Sequence, residues 1–312
     1  MRPNKLNLGF FPTPVDEIEF KGEKIFIKRD DLTELVASGN KIRKLEYFFY
    51  KAKEDKVKKV LTCGGIQSNH ARATTYLSRK LGFEPVLFLR GNSDKPYDGN
   101  LFLDYLLHAE IHFVTDEEYK EIDKIMEEYG KKEKEKGNKV LIIPEGGSDE
   151  LGLWGYVDAM FEMENFIVDR KIDSIFCAVG SGGTYAGLFL GAKLLNLDVK
   201  ICGILVTRDK SYFEEKVSSI LKKTIDKYNL PVKFEKNEFI FLDSYIGEGY
   251  AIPYKEELDV IKEIAKKGII LDPVYTGKAF YGFINEKNKF KNPLFLHTGG
   301  IFSIFAFREY FN

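Results

Sequence analysis

Short apolar runs rich in β-branched residues alternate with helix-period segments along nearly all of this 312-residue chain. The strand-like runs lie at 24–28, 59–63, 85–89, 111–114, 139–143, 174–179, 200–206, 239–242 and 294–296. The helix-like runs lie at 41–54, 69–81, 99–108, 117–135, 154–168, 185–195, 211–228, 255–267 and 302–311. A parallel strand pair needs a long crossover, which a helix supplies, so this alternation predicts an α/β fold with mostly parallel sheets. Ligands in such sheets gather at the carboxyl ends of strands. The charged stretch 117–137 is expected to form one long exposed helix. A smaller domain is expected over residues 52–153, inserted in a larger one formed by residues 1–51 and 154–312.

Composition removes several classes of function. With 47 basic and 48 acidic residues the formal net charge is −1, which gives no global pull toward nucleic acid or an anionic membrane. No apolar run approaches the roughly 20 residues of a membrane span, and the first residues lack the apolar core of a signal peptide. Cys63, Cys177 and Cys202 each sit in a strand-like apolar run. They read as buried reduced thiols rather than disulfides or metal ligands, which fits a reducing cytoplasm. Lys, Glu, Ile and Phe are plentiful and Gln67 is the only glutamine, a bias that suggests a heat-adapted source.

Three local features carry chemistry when taken together. The turn Gly180-Ser181-Gly182-Gly183-Thr184 follows a strand and opens a helix, so its backbone N–H groups and the helix dipole suit a phosphate. Counted from Gly180, the spacing misses the dinucleotide pattern, because Tyr185 stands where the third glycine belongs. No acid ends the next strand, and a Walker-type ending is absent. The turn Gly64-Gly65-Ile66-Gln67-Ser68-Asn69-His70 opens another helix. Ser68 or Asn69 caps it, and the same N–H groups suit a carboxylate. Lys41, in Ser38-Gly39-Asn40-Lys41-Ile42-Arg43-Lys44, sits where a loop becomes a helix. By itself it reads as a solvated surface lysine. A Schiff-base lysine, a carboxylate turn and a phosphate cup are, in combination, what pyridoxal phosphate chemistry requires. Tyr250 and Tyr275 lie in glycine- and proline-rich turns and offer phenol groups as acid, base or donor. Thr298, just past a strand, is placed to contact a ring atom.

The segments Ile27-Lys28-Arg29-Asp30-Asp31-Leu32, Gly39-Asn40-Lys41-Ile42-Arg43-Lys44-Leu45-Glu46, Gly64–His70 as spelled out above, and Leu271-Asp272-Pro273-Val274-Tyr275-Thr276-Gly277-Lys278 resemble the 1-aminocyclopropane-1-carboxylate (ACC) deaminase / D-cysteine desulfhydrase family over essentially the whole chain. The resemblance implies a tryptophan synthase β-like fold (fold type II), with two open, twisted, mostly parallel sheets flanked by helices. It implies pyridoxal 5'-phosphate as cofactor, a small amino acid as substrate and a homodimer. Lys41 is implied to carry the cofactor as a Schiff base. Asn69 is implied to contact its ring hydroxyl. Gly180, Ser181, Gly182, Gly183 and Thr184, with Lys44, are implied to hold its phosphate. Gln67, Ser68 and Asn69 are expected on the substrate carboxylate side, Lys41 or Ser68 as the α-proton base, and Tyr250 and Tyr275 as the active-site tyrosines.

ACC deaminases carry glutamate after the tyrosine of the Asp-Pro-Val-Tyr motif, whereas this chain has Thr276, which looks like the D-cysteine desulfhydrase version. A carboxylate beside the pyridine nitrogen keeps it protonated, and threonine supplies no such charge. The implied reaction is α,β-elimination of D-cysteine to pyruvate, ammonia and hydrogen sulfide. Deamination of ACC to 2-oxobutyrate and ammonia is the alternative. A catalytically silent cofactor-binding protein is the reading from another class, and Ser68, Tyr250 and Tyr275 speak against it.

Overall fold

The computed structural model describes residues 2–92, Asp94 and residues 97–311. Its strands are β1 (Val15–Phe20), β2 (Glu23–Arg29), β3 (Lys59–Gly65), β4 (Glu84–Arg90), β5 (Glu110–Val114), β6 (Val140–Ile142), β7 (Ser174–Val179), β8 (Lys200–Leu205), β9 (Ile240–Leu242) and β10 (Pro293–His297). Its α-helices are α1 (Asn40–Glu54), α2 (Asn69–Leu81), α3 (Gly99–Leu106), α4 (Asp116–Lys120), α5 (Ile122–Glu135), α6 (Trp154–Asp169), α7 (Gly183–Leu194), α8 (Lys210–Tyr228), α9 (Lys255–Ala265), α10 (Thr276–Glu286) and α11 (Ile301–Ile304). Two sheets result, ordered β1-β2-β10-β7-β8-β9 and β5-β4-β3-β6. Every pairing is parallel except the β1–β2 hairpin. This is the α/β architecture expected from the alternation. Among the described residues no helix is long and apolar enough to cross a membrane. All three cysteines are free and buried.

Four elements depart from the reading of the sequence, one of them the expected helix 302–311, which is the short α11 followed by a 3-10 stretch over Phe305–Phe311. Strand β1 was not anticipated, because its acids Asp16, Glu17 and Glu19 interrupt the apolar pattern and only Phe20 is buried. The Lys21-Gly22 turn, with both φ values positive, is the local signal for that hairpin. The stretch 117–137 is two helices rather than one. A capping box at Thr115 starts α4, and the chain breaks at Glu121, which turns Ile122 and Met126 of α5 into the core. Helix α10 was not expected because its first turn, Thr276-Gly277-Lys278, reads as the continuation of the proline- and glycine-rich turn that begins at Asp272.

The helix that carries Lys41 is fixed by a buried charge network. Arg43 on α1 donates through Nε to Asp30 Oδ2 and through Nη2 to Asp30 Oδ1, both at 2.8 Å. Through Nη1 it donates to Glu162 Oε2 on α6, also at 2.8 Å. Thr13 and Tyr156 add hydroxyl donors to Asp30 at 2.7 Å each, and Lys28 pairs with Glu162. Asp30 and Arg43 are almost wholly buried, and the guanidinium lies 4.3 Å over the Phe11 ring. Burial pushes the Asp30 carboxyl up, but Arg43 and Lys28 outweigh it and hold it below its ordinary range. The network therefore joins the end of β2, α1 and α6, and sets where α1 begins.

Arg43→Met leaves Asp30 and Glu162 without this partner in the interior. We expect a loss of about 3–5 kcal/mol in urea unfolding. Because Asp30 is held below its unfolded value, its contribution is present at neutral pH and fades as the pH falls through the folded value. The wild-type advantage over Arg43→Met should therefore shrink in acid, measured as the two unfolding midpoints against pH.

Candidate active site

A cavity of about 330 Å³ opens between the carboxyl ends of β3 and β7, and the wall includes residues from both sheets. Lys41 enters it from the first turn of α1. Gly39 makes this entry possible. Its φ is +99°, and a Cβ there would lie 2.5 Å from the Thr298 carbonyl oxygen, which accepts from Asn40 N at 3.0 Å. Lys41 Nζ donates to Asn40 Oδ1 at 2.9 Å and has no carboxylate within ion-pair distance among the described residues. Loss of hydration, with the nearby charge of Arg72 adding to it, pulls the Lys41 ammonium down to about 8.

Gly180, Ser181, Gly182 and Thr184 line the cavity beneath the N-terminus of α7. Gly183 lies behind them, and a Cβ on it would lie 2.5 Å from Ser148 Oγ and 2.9 Å from Lys44 Nζ. Lys44 is almost wholly buried and donates only to neutral acceptors, Gly146 O and Ser148 Oγ, both at 3.1 Å. Burial, with Lys41 adding repulsion, drives its ammonium well below the ordinary value. A buried ammonium without an anion, next to a glycine cup at a helix N-terminus, fits the phosphate of pyridoxal phosphate. Asn40 Nδ2 donates to Thr184 Oγ1 at 3.0 Å, which ties the lysine turn to the cup.

On the opposite wall Ser68 caps α2 by accepting from Ala71 N at 3.1 Å, so its hydroxyl hydrogen is not spent on the cap. Asn69 also lines the cavity. His70 also lines the cavity, and its ring is held by Thr62: Thr62 Oγ1 donates to Ile143 O, so His70 Nε2 is the donor in its 2.9 Å contact with Thr62. Burial and the two lysines keep the imidazole neutral. Gln67 was expected beside the substrate carboxylate, but its side chain is turned away, with Oε1 accepting from Asn100 N and Nε2 donating to Asp98 O, both at 2.9 Å. It lines the neighbouring groove instead.

The two tyrosines meet. Tyr250 and Tyr275 stand in the wall with their hydroxyl oxygens 2.5 Å apart. Burial raises Tyr250 to about 12 and Tyr275 well above 10, so both phenols are protonated donors rather than bases at neutral pH. Thr298 lines the cavity, whereas Thr276 lies behind Asp272. Asp272 Oδ1 accepts from Val274 N and Tyr275 N at 2.8 Å each. Its Oδ2 accepts from Thr276 N at 3.1 Å and from Thr276 Oγ1 at 2.7 Å.

Asp272, Glu145, Tyr119 and Arg90 are wall residues that motif reasoning did not select. Tyr119 donates to Glu145 at 2.8 Å, and Arg90 lies 5.1 and 5.5 Å from the ring centroids of Tyr119 and Tyr250. Glu145 lies in the turn just past the carboxyl end of β6, after Ile143 and Pro144, and Arg90 ends β4, so the rule that ligands sit at strand carboxyl ends pointed to both.

Comparison with known proteins gives a consistent result. A family model described as "Pyridoxal-phosphate dependent enzyme" matches residues 6–299. A Thermotoga maritima protein, provisionally named a 1-aminocyclopropane-1-carboxylate deaminase, is 50% identical, covering 97% of this chain and 98% of its own. A mitochondrial Arabidopsis thaliana protein, named a bifunctional D-cysteine desulfhydrase/1-aminocyclopropane-1-carboxylate deaminase, is 38% identical over 96% of this chain and 79% of its own. A crystal structure of an ACC deaminase homologue superposes with a TM-score of 0.92 at 36% identity, covering 99% and 95% of the two chains.

Two outcomes test this geometry. Capture of pyridoxal phosphate by the apo-protein should accelerate about tenfold per pH unit below about 8 and level off above it, as the Lys41 amine loses its proton. Stopped-flow absorbance reads the rate, and borohydride trapping followed by peptide mapping should place the cofactor on Lys41 and show none in Lys41→Ala. Lys44→Met should raise the melting temperature of the apo-protein, because an unpaired buried charge is removed. The same change should weaken pyridoxal phosphate binding roughly 10–100-fold, the worth of a charged hydrogen bond.

Proposed function

We propose that this chain, which belongs to the pyridoxal-phosphate dependent enzyme family, catalyses α,β-elimination of D-cysteine: D-cysteine and water give pyruvate, ammonia and hydrogen sulfide. The observation that carries this choice is the hydrogen bond from Thr276 Oγ1 to Asp272 Oδ2 at 2.7 Å. With it each carboxylate oxygen of Asp272 accepts two bonds, so the carboxylate has no acceptor position left for a ring N–H. Pyridoxal phosphate, when bound, supplies an electron sink for the α-carbon. A ring nitrogen without a carboxylate partner makes a weaker sink, which suffices when a good leaving group such as thiolate departs. It serves less well for opening a cyclopropane ring, where the leaving group is carbon.

The side chains divide the work. Ser68 and the α2 N-terminus hold the substrate carboxylate. Lys41 Nζ, poised near pH 8, takes the α-proton, and Ser68 lines the same cavity from the opposite wall. The Tyr250–Tyr275 pair donates to the departing sulfur, since both phenols keep their protons at neutral pH. The names of the T. maritima and A. thaliana relatives favour ACC deamination as the second reading.

Pyruvate release from D-cysteine and L-cysteine, measured beside 2-oxobutyrate release from ACC, separates the two. Turnover of ACC alone overturns the proposal. Tyr275→Phe should lower kcat on D-cysteine about 10²-fold, the usual worth of a general acid. Thr276→Glu frees an acceptor on Asp272 and adds a second carboxylate, and should make ACC turnover appear or rise.

A further inference from the structure

Whether Asn69 offers the cavity its N–H donors or its oxygen is decided outside the cavity. An asparagine amide can face a ligand either way, and its neighbours choose. Asn69 Oδ1 accepts from Asn100 Nδ2 at 2.9 Å. The Asn100 amide is itself fixed at both ends. Its Oδ1 accepts from Arg72 Nε at 2.9 Å, and a guanidinium can only donate. Its Nδ2 also donates to the Gln67 carbonyl at 2.9 Å, a group that can only accept. Arg72 and Asn100 are fully buried, so water cannot supply a substitute partner. Gln67 holds the start of α3 in place by bonding to Asp98 O and Asn100 N.

We propose that Asn100 is a positioning residue: locked by Arg72, it holds Asn69 with Nδ2 turned into the cavity as a permanent donor to the ring oxygen of pyridoxal phosphate. The chain of polarity runs in one direction, from guanidinium to Asn100 to Asn69, and no member can reverse without stranding two donors or two acceptors against each other. Arg72 serves the other side of the site as well, since it donates to Val36 O and Ser38 O in the loop before Lys41. One buried arginine therefore sets both the lysine loop and the sense of the amide. The proposal rests on Asn69 meeting the ring oxygen, and the variants below separate that premise from the relay.

Asn100→Asp keeps size and shape but presents only acceptors. Arg72 still donates to it, and Asn69 must now donate as well, which turns its oxygen to the cavity. We expect the Kd of the apo-protein for pyridoxal phosphate to rise about tenfold. The pH midpoint of the visible absorption band of the holoenzyme should rise by about one unit, because the ring anion loses its donor. Asn69→Ala should do the same, and the double variant should be no worse than Asn69→Ala alone. Wild-type Kd and midpoint in Asn100→Asp overturn the relay, as do losses that add in the double variant. If Asn69→Ala moves neither quantity, Asn69 does not face the cofactor and premise and relay fall together. Asn100→Leu removes the lock without offering an acceptor. It should shift both readouts in the same direction by about threefold and a few tenths of a unit, and covers the case in which Asn100→Asp does not fold. No shift in Asn100→Leu then overturns the relay.

Discussion

The arginine at position 43 is the pivot of this molecule. It takes both oxygens of Asp30 at the end of β2 and both oxygens of Glu162 on α6, inside the protein. Each ion on its own costs several kcal/mol to bury, so none of the three elements can move without exposing that cost. Lys41 lies two residues before Arg43 and Lys44 one residue after it. The direction in which α1 leaves the loop, and so the place where both lysines reach, follows from an ion network that touches no ligand. The sheet supplies the rest: β10 lies between β2 and β7, which brings Thr298 against Gly39 and the glycine cup beside the same opening.

Much of this was legible in the chain, for identifiable reasons. A parallel sheet announces itself by alternation, and the turn that opens α7 by glycines between a strand and a helix. Ser68, Asn69, Lys41 and Thr298 lie at strand ends or helix starts, where position alone predicts orientation. What sequence pattern could not show depends on direction and depth. Gln67 is adjacent to Ser68 yet faces the other way, because Asn100 N and Asp98 O come from a segment about 30 residues later. Helix α10 begins inside a proline- and glycine-rich turn, and that local signal masks its start. The Tyr250–Tyr275 contact joins an irregular loop to a helix start, and only tertiary packing creates it.

The residue that looked most diagnostic, Thr276, turns out to act at one remove. It does not stand in the cavity wall; Asp272 does. The chemical consequence of threonine is that its hydroxyl fills an acceptor position on that carboxylate. A motif difference that reads as a missing charge is, in three dimensions, a saturated one. The distinction matters, because a saturated carboxylate still lowers the local potential and still helps keep Tyr250 and Tyr275 protonated.

The charges around the cavity are deliberately unbalanced. Lys41, Lys44 and Arg72 are buried without a carboxylate in ion-pair distance among the described residues, and all three are depressed by lost hydration. Elsewhere in the same interior Arg43 and Lys28 are fully paired. A chain able to pair its buried cations there has left them open here. That arrangement is costly in the apo-protein, and an anionic ligand such as pyridoxal phosphate would relieve it. Binding then stabilises the fold by the ratio of ligand concentration to Kd, on a logarithmic scale. Cofactor affinity and the stability of the empty protein are thus set against each other by the same three side chains, and any substitution that relieves one strains the other.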